Sequence, residues 1–144
     1  MAATAIWATL RSRYIEAVTL VLGHALSYAA VHIAKDGYGR SRPEGGLVDV
    51  SLAAYPSGHA AYAVAFVACA TVLVRAGVGW ALRFAALLVA IGAVVLVALS
   101  RVYLRVHYLT DVLGGVAMAL AIWALLGILA LFAGWVRQNG APSP

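Results

Sequence analysis

The rare polar side chains of this 144-residue chain gather in three short stretches. The stretches are Lys35 to Arg42-Pro43, then Pro56-Ser57-Gly58-His59, and last Ser100-Arg101 followed by His107 and Asp111. His107 and Asp111 are four residues apart, so on a helix they share one face, and the carboxylate can accept a hydrogen bond from one imidazole nitrogen. The other nitrogen then keeps its lone pair, which is the arrangement of an oriented nucleophile.

Lys35, Arg42 and Arg101 provide three cations, and pairs of arginine N–H groups match the oxygens of a phosphate. Ser57 and Gly58 open a predicted helix, where unpaired N–H groups bind anions and glycine permits a close approach. These residues predict a site that holds a phosphate group. Two plainer interpretations stay open, namely that Ser57 only caps the helix and that the cations only reach toward lipid headgroups.

His59 is placed to act as the general acid that protonates a leaving alcohol. In a competing interpretation, His59, His107 and Asp111 ligate Zn²⁺ or Mn²⁺. The neighbouring lysine and arginine side chains disfavour a bound cation. We therefore expect neither a metal ion nor another cofactor.

The composition indicates what kind of protein must position these residues. Hydrophobic residues make up 65% of the chain, charged residues 10%, and the mean hydropathy is +0.96. Soluble domains are about 45–50% apolar and about 25% charged, so the composition disfavours a soluble globular domain and excludes a disordered chain. We expect one domain over residues 1–144. The net charge is +5, but the basic residues form no cluster, so nucleic acid is not an expected partner.

Four stretches lack acidic and basic residues, namely 17–34, 50–74, 84–100 and 112–136. They predict membrane spans near 14–35, 57–75, 79–101 and 107–136, a motif-bearing loop over 36–56 and a frayed tail over 138–144. The short connection at 75–79 predicts that the second and third helices form an antiparallel hairpin. The fold class is thus an all-α, membrane-embedded bundle of about four transmembrane helices, with the polar motifs at helix ends on one face.

The distribution of basic residues predicts an orientation. Four crossings put both termini on one side together with five basic residues, and the motif side also carries five. Assigning Lys35, Arg42 and Arg101 to the site leaves Arg40 and Arg105 on the motif side. The excess of positive charge on cytoplasmic loops then favours cytoplasmic termini, with the site outside a plasma or inner membrane.

In order and spacing, the three motifs resemble the complete signature of the type-2 phosphatidic acid phosphatase superfamily, the lipid phosphate phosphatases. The resemblance covers residues 35–111. It implies that His107 attacks phosphorus to give a phosphohistidine and that Asp111 orients and activates the His107 ring. It also implies that His59 protonates the leaving group and then serves as base for water. It also implies that no metal takes part, and that five residues bind the phosphate, namely Lys35, Arg42, Ser57, Gly58 and Arg101.

Integral members of that family usually have six transmembrane helices, with the motifs on the last four. Either the first two are dispensable here, or the sequence is a fragment or fusion module, or a second copy or partner subunit supplies the missing wall. The expected partners are the lipid bilayer and a lipid or polyprenyl phosphate or diphosphate. The same residues would serve a lipid phosphotransferase, and a non-catalytic membrane assembly subunit would keep the fold.

Overall fold

The computed structural model describes residues 1–75 and 79–139, and these residues form helices and no strands. The helices are α1 (Ala2–Leu10), α2 (Tyr14–Tyr38), α3 (Gly58–Val74), α4 (Trp80–Tyr103) and α5 (Leu109–Asn139). The four predicted spans correspond to α2, α3, α4 and α5, with ends that agree within three residues. The all-α fold class is therefore confirmed.

The first helix, α1, was not predicted. It is nine residues long and covers only about 13 Å, too little to cross a bilayer. The turn after it, with Ser12 at φ 57°, reverses the chain, and Ala5 and Ala8 then pack with Leu20 of α2. As a result Met1 lines a cavity between the helices, whereas the sequence prediction placed the N-terminal residue at the face opposite the site.

The central element is α3, which packs against α2, α4 and α5. Its buried side chains are mostly small, among them Ala60, Ala61 and Ala63, and small side chains let neighbouring helices approach closely. The 17 residues of α3 extend about 26 Å, less than the roughly 30 Å of a bilayer core. Of the helices described, α2, α4 and α5 are long and apolar enough to cross a membrane. Of the four predicted spans, three are thus helices long enough to cross a membrane, and the fourth, α3, is shorter.

The outer faces of α4 and α5 carry large apolar side chains that none of the described helices covers. Leu96 on α4 and Phe132 on α5 are examples. A helix that is apolar on its outside as well as its inside is suited to a hydrocarbon environment. Of the predicted tail, residues 138 and 139 continue α5, and 140–144 lie outside the described residues. The predicted tight connection likewise falls largely on residues 76–78, which are also outside them.

Backbone hydrogen bonds hold the loop between α2 and α3 across one end of the bundle. The Ala54 N–H donates to the Arg40 carbonyl at 2.8 Å, and the Leu47 N–H donates to the Leu104 carbonyl at 3.0 Å. The second of these bonds joins the loop to the segment between α4 and α5. All three polar motifs are thereby gathered at one end of the helices.

Candidate active site

A cavity of about 240 Å³ opens at the end of the bundle where the motifs meet. Side chains from all three motifs line it. Six of the eight predicted site residues contribute to the lining, namely Lys35, Arg42, Gly58, His59, Arg101 and His107. The other two, Ser57 and Asp111, are fully buried beside these lining residues.

Lys35 lies in the last turn of α2, and the end of that helix fixes its position. Gly39 adopts a left-handed conformation (φ 55°), and its N–H donates to the Lys35 carbonyl at 3.0 Å. The Lys35 side chain is buried, and its Nζ donates to the carbonyl of Ala53 in the loop. Because that acceptor is neutral, the positive charge of the ammonium group remains available to a bound anion.

Arg42 ties the loop to the segment that carries His107. Its Nε donates to the Leu52 carbonyl at 2.8 Å and its Nη1 donates to the Val106 carbonyl at 2.6 Å. Nη1 is also 3.4 Å from Nε2 of His107. Since a guanidinium has five N–H donors, a side chain held in this way still has donors for phosphate oxygens.

His107 is buried in the segment between α4 and α5. Its Nδ1 is 3.6 Å from Oδ2 of Asp111, slightly longer than an N–H···O hydrogen bond. Burial first, and then the positive charges of Arg42 and Lys35, lower the pKa of the His107 imidazole to about 4. The ring is therefore neutral at pH 7, and the tautomer with hydrogen on Nδ1 leaves a lone pair on Nε2.

Asp111 connects three parts of the site. Its Oδ1 accepts a hydrogen bond from Arg40 Nη1 at 2.8 Å, and its Oδ2 accepts one from the Tyr108 N–H at 2.8 Å. Its backbone carbonyl accepts from the Ser57 N–H, also at 2.8 Å. Sequence reasoning missed Arg40 and counted it among the unassigned basic residues of the motif side. Arg40 is 71 residues from Asp111, so no local pattern signals this ion pair.

The predicted phosphate cradle lies at the start of α3. The Ser57 Oγ accepts a hydrogen bond from the Ala60 N–H at 3.5 Å, which is the capping interaction that the plainer interpretation proposed. The start of α5 presses against this turn, because a Cβ added at Gly115 would lie 2.4 Å from the Ser57 carbonyl oxygen. The backbone of α5 thus supports the cradle directly.

His59 lies in the first turn of α3, with an exposed side chain that lines the same cavity as His107. Arg101, near the end of α4, also lines it, and its Nε donates to Ser100 Oγ at 3.1 Å. The other lining residues were not predicted, and three of them carry rings, namely Tyr28, His32 and Tyr62. Their rings stand close together, with centroids 4.3 Å apart for Tyr28 and His32 and 6.0 Å apart for Tyr28 and Tyr62.

The metal-binding interpretation finds no counterpart in the part of the chain that the structure describes. Within residues 1–75 and 79–139, no group of three or more His, Cys, Asp or Glu side chains is arranged to hold a metal ion. The carboxylate of Asp111 is instead engaged by the guanidinium of Arg40.

The apolar helices are those of an integral membrane protein, and the basic, histidine-containing cavity at one end of the bundle is suited to binding an anion. The chain belongs to the PAP2 superfamily, whose family model matches residues 16–135. The predicted resemblance is thus confirmed. A search of curated proteins gave no match.

Among solved structures, the chain is similar to a transmembrane PAP2-type phosphatidylglycerolphosphate phosphatase from Bacillus subtilis. The TM-score is 0.73 and the sequences are 27% identical. The match covers 92% of this chain and 64% of the phosphatase chain. This chain therefore spans less than two thirds of that protein.

Proposed function

We propose that this protein is a membrane phosphatase that hydrolyses a lipid or polyprenyl phosphate or diphosphate through a phosphohistidine on His107. The observation that carries the proposal is the single cavity shared by Lys35, Arg42, Arg101 and the two histidines His59 and His107. Membership of the PAP2 superfamily and the likeness to a PAP2-type phosphatase support phosphatase chemistry.

The cavity suits the binding step because a phosphate monoester carries nearly two negative charges. Lys35, Arg42 and Arg101 supply the opposite charge, and the N–H groups at the start of α3 add an anion-binding helix terminus. These donors would also stabilise the equatorial oxygens of the phosphoryl group during transfer. The hydrocarbon part of the substrate would remain in the bilayer among the apolar faces of the helices.

In the first chemical step, the Nε2 lone pair of neutral His107 attacks phosphorus and forms a P–N bond. The P–O ester bond breaks, its electron pair leaves with the alcohol oxygen, and protonated His59 donates the proton to that oxygen. Asp111 stabilises the positive charge that develops on the imidazole. In the second step, His59 takes a proton from water, the water oxygen attacks phosphorus, and the P–N bond breaks to release inorganic phosphate.

We further propose that the site faces the extracytoplasmic side of a plasma or inner membrane. We also propose that a second copy of the chain, or a partner subunit, packs against the bundle and completes its wall. Both proposals rest on the predicted charge asymmetry and on the 64% coverage of that neighbour.

Phosphate release by the purified protein in lipid nanodiscs tests the function. A panel of phosphatidic acid, phosphatidylglycerol phosphate and a polyprenyl diphosphate should contain at least one substrate, and His107→Ala should abolish its turnover while keeping the thermal stability of the wild type. EDTA should leave the rate unchanged. Loss of activity in EDTA with recovery in Mg²⁺ or Zn²⁺ would overturn the histidine mechanism, as would full activity of His107→Ala.

Rapid-quench labelling with ³²P separates the two histidines. His107→Ala should form no phosphoenzyme with any substrate. His59→Ala should still form one with an activated aryl phosphate, because an aryl oxide of low basicity hardly needs protonation, and should form it far more slowly with a lipid phosphate. An acid-labile phosphoenzyme that persists in His107→Ala and disappears in His59→Ala would reverse the two roles.

A further inference from the structure

Arg40 reaches from the loop to the buried carboxylate at the start of α5. We propose that Arg40 is a positioning residue: it holds the Asp111 carboxylate in the orientation that fixes the tautomer and direction of the His107 ring. The inference rests on the proposed function, since it assigns a role within that site. It adds a fourth cation to the site, with a role distinct from those of Lys35, Arg42 and Arg101.

The contacts of Arg40 converge on the start of α5 and the residue just before it. Its Nη1 donates to Asp111 Oδ1 and to Thr110 Oγ1, each at 2.8 Å, and its guanidinium carbon lies 4.4 Å above the centre of the Tyr108 ring. Its backbone carbonyl accepts a hydrogen bond from the Ala54 N–H. Arg40 is therefore fixed at both its backbone and its side-chain end.

The ion pair satisfies a charge that is costly to bury. Asp111 is fully buried, and a buried carboxylate keeps its charge at acceptable cost only when it is paired and hydrogen-bonded. Arg40 supplies the pairing cation and the Tyr108 N–H supplies the second donor. With both oxygens engaged, the carboxylate cannot turn freely, and Oδ2 stays 3.6 Å from Nδ1 of His107.

Arg40 acts through Asp111 rather than on the phosphate. Among the described residues that line the cavity, Lys35, Arg42 and Arg101 are present and Arg40 is not. Its charge therefore lies beside Asp111 rather than among the side chains that line the cavity. Without it, the carboxylate could rotate or draw the Nδ1 proton away from His107, and the nucleophile would lose its fixed tautomer.

The test compares Arg40→Gln and Arg40→Lys with Arg11→Gln, which removes one exposed charge at the opposite end of α2. We expect Arg40→Gln to lower kcat on the order of 10- to 100-fold, as is typical for partners that orient a functional side chain. The KM for the lipid phosphate and the Ki for inorganic phosphate should stay within about two-fold. Arg40→Lys should recover part of kcat, because an ammonium group keeps the charge but lacks the planar fork, and Arg11→Gln should match the wild type.

A double-mutant cycle with Asp111→Asn distinguishes positioning from an independent effect. If Arg40 acts through Asp111, adding Arg40→Gln to Asp111→Asn should lower kcat by no more than about two-fold. The inference would be overturned if the two substitutions together lowered kcat by the product of their separate effects. A Ki for inorganic phosphate that rises in Arg40→Gln would overturn it as well. If Arg40→Gln does not fold, the same cycle with Arg40→Lys decides.

Nitrogen NMR of the His107 ring provides a readout that needs no turnover. The wild type should show one tautomer with hydrogen on Nδ1, and the Arg40 variants a mixture. An unchanged tautomer would overturn the positioning role. If the wild type hydrolyses no lipid phosphate but the tautomer still depends on Arg40, the proposed function fails and the positioning role stands.

Discussion

At the scale of single residues, the environment of His107 determines what the site can do. A histidine with the ordinary pKa of 6.5 would be partly protonated near neutral pH, and the cationic ring would have no lone pair to attack with. Burial and the charges of Arg42 and Lys35 lower the pKa of His107 to about 4. The cations that would bind phosphate thus also keep the nucleophile neutral.

This predicts a pH dependence for the ring itself. Above pH 6.5, His107 is neutral in the folded and unfolded chain alike. Between pH 6.5 and about 4 only the unfolded chain takes up the proton, so the free energy of unfolding falls as the pH drops through this interval. A ¹⁵N NMR titration, assigned with His107→Asn, should give a midpoint near pH 4.

The NMR midpoint is preferable to a rate profile, because a phosphate monoester itself titrates near pH 6. Arg42→Gln removes a neighbouring positive charge and should move the midpoint up toward 6.5. A wild-type midpoint at or above 6.5 would show that His107 is not held neutral by its surroundings.

Motif spacing was enough to predict six of the residues that line the cavity, including its lysine and both of its arginines, because each motif marks a helix end and the helix ends share one face. It could not predict Arg40 or the aromatic wall of Tyr28 and Tyr62. Those residues reach the site through contacts across the bundle, and nothing in their local sequence distinguishes them from residues that face lipid or water.

At the scale of elements, the first turns of α5 lie directly against the start of α3. A Cβ at Gly115 would lie 2.4 Å from the Ser57 carbonyl oxygen and 3.3 Å from its backbone nitrogen. A backbone obstacle cannot rotate away as a side chain can. Glycine at this position lets α5 approach closely enough for the Asp111 backbone carbonyl to accept a hydrogen bond from the Ser57 N–H.

Gly115→Ala should therefore separate the two helices. We expect a loss of about 1–3 kcal/mol in the free energy of unfolding, the usual cost of overpacking, together with a fall in kcat because the cradle and His107 are displaced. Gly134→Ala is the matched control on the same helix, since nothing lies within 4 Å of its added Cβ. Thermal unfolding and phosphate release measure both effects. Equal stability of the two variants would contradict the close approach.

The elements themselves were largely predictable from runs without acidic or basic residues. The exceptions have physical reasons. The helix α1 is nine residues long and too short to register as a membrane span. The helix α3 begins at Gly58, directly after the buried cap residue Ser57, and its 17 residues are too few for a full crossing.

At the scale of the whole molecule, the ion pair between Arg40 and Asp111 bears on the proposed orientation. On sequence grounds neither Arg40 nor Arg105 was assigned to the site, and the structure pairs Arg40 with Asp111, which we propose makes it part of the site. Among the described residues of the motif side, this leaves Arg105 as the basic residue outside the site. The opposite side keeps five, namely Arg11, Arg13, Arg75, Arg83 and Arg137. The asymmetry favours placing that opposite side in the cytoplasm.

Single cysteines at the two ends of the bundle test this orientation directly. The native Cys69 is buried and can be replaced by alanine to give a background without thiols. Gly37→Cys places a thiol at the motif end, where an added Cβ meets nothing within 4 Å, and Gln138→Cys places one on the exposed last turn of α5. Neither substitution changes a charge, so neither should alter the topology that it reports. With a membrane-impermeant maleimide on intact cells or spheroplasts, the Gly37→Cys variant should label at once and the Gln138→Cys variant only after permeabilisation. The reverse pattern would place the site in the cytoplasm and would show that the positive charges of the opposite end do not set the orientation.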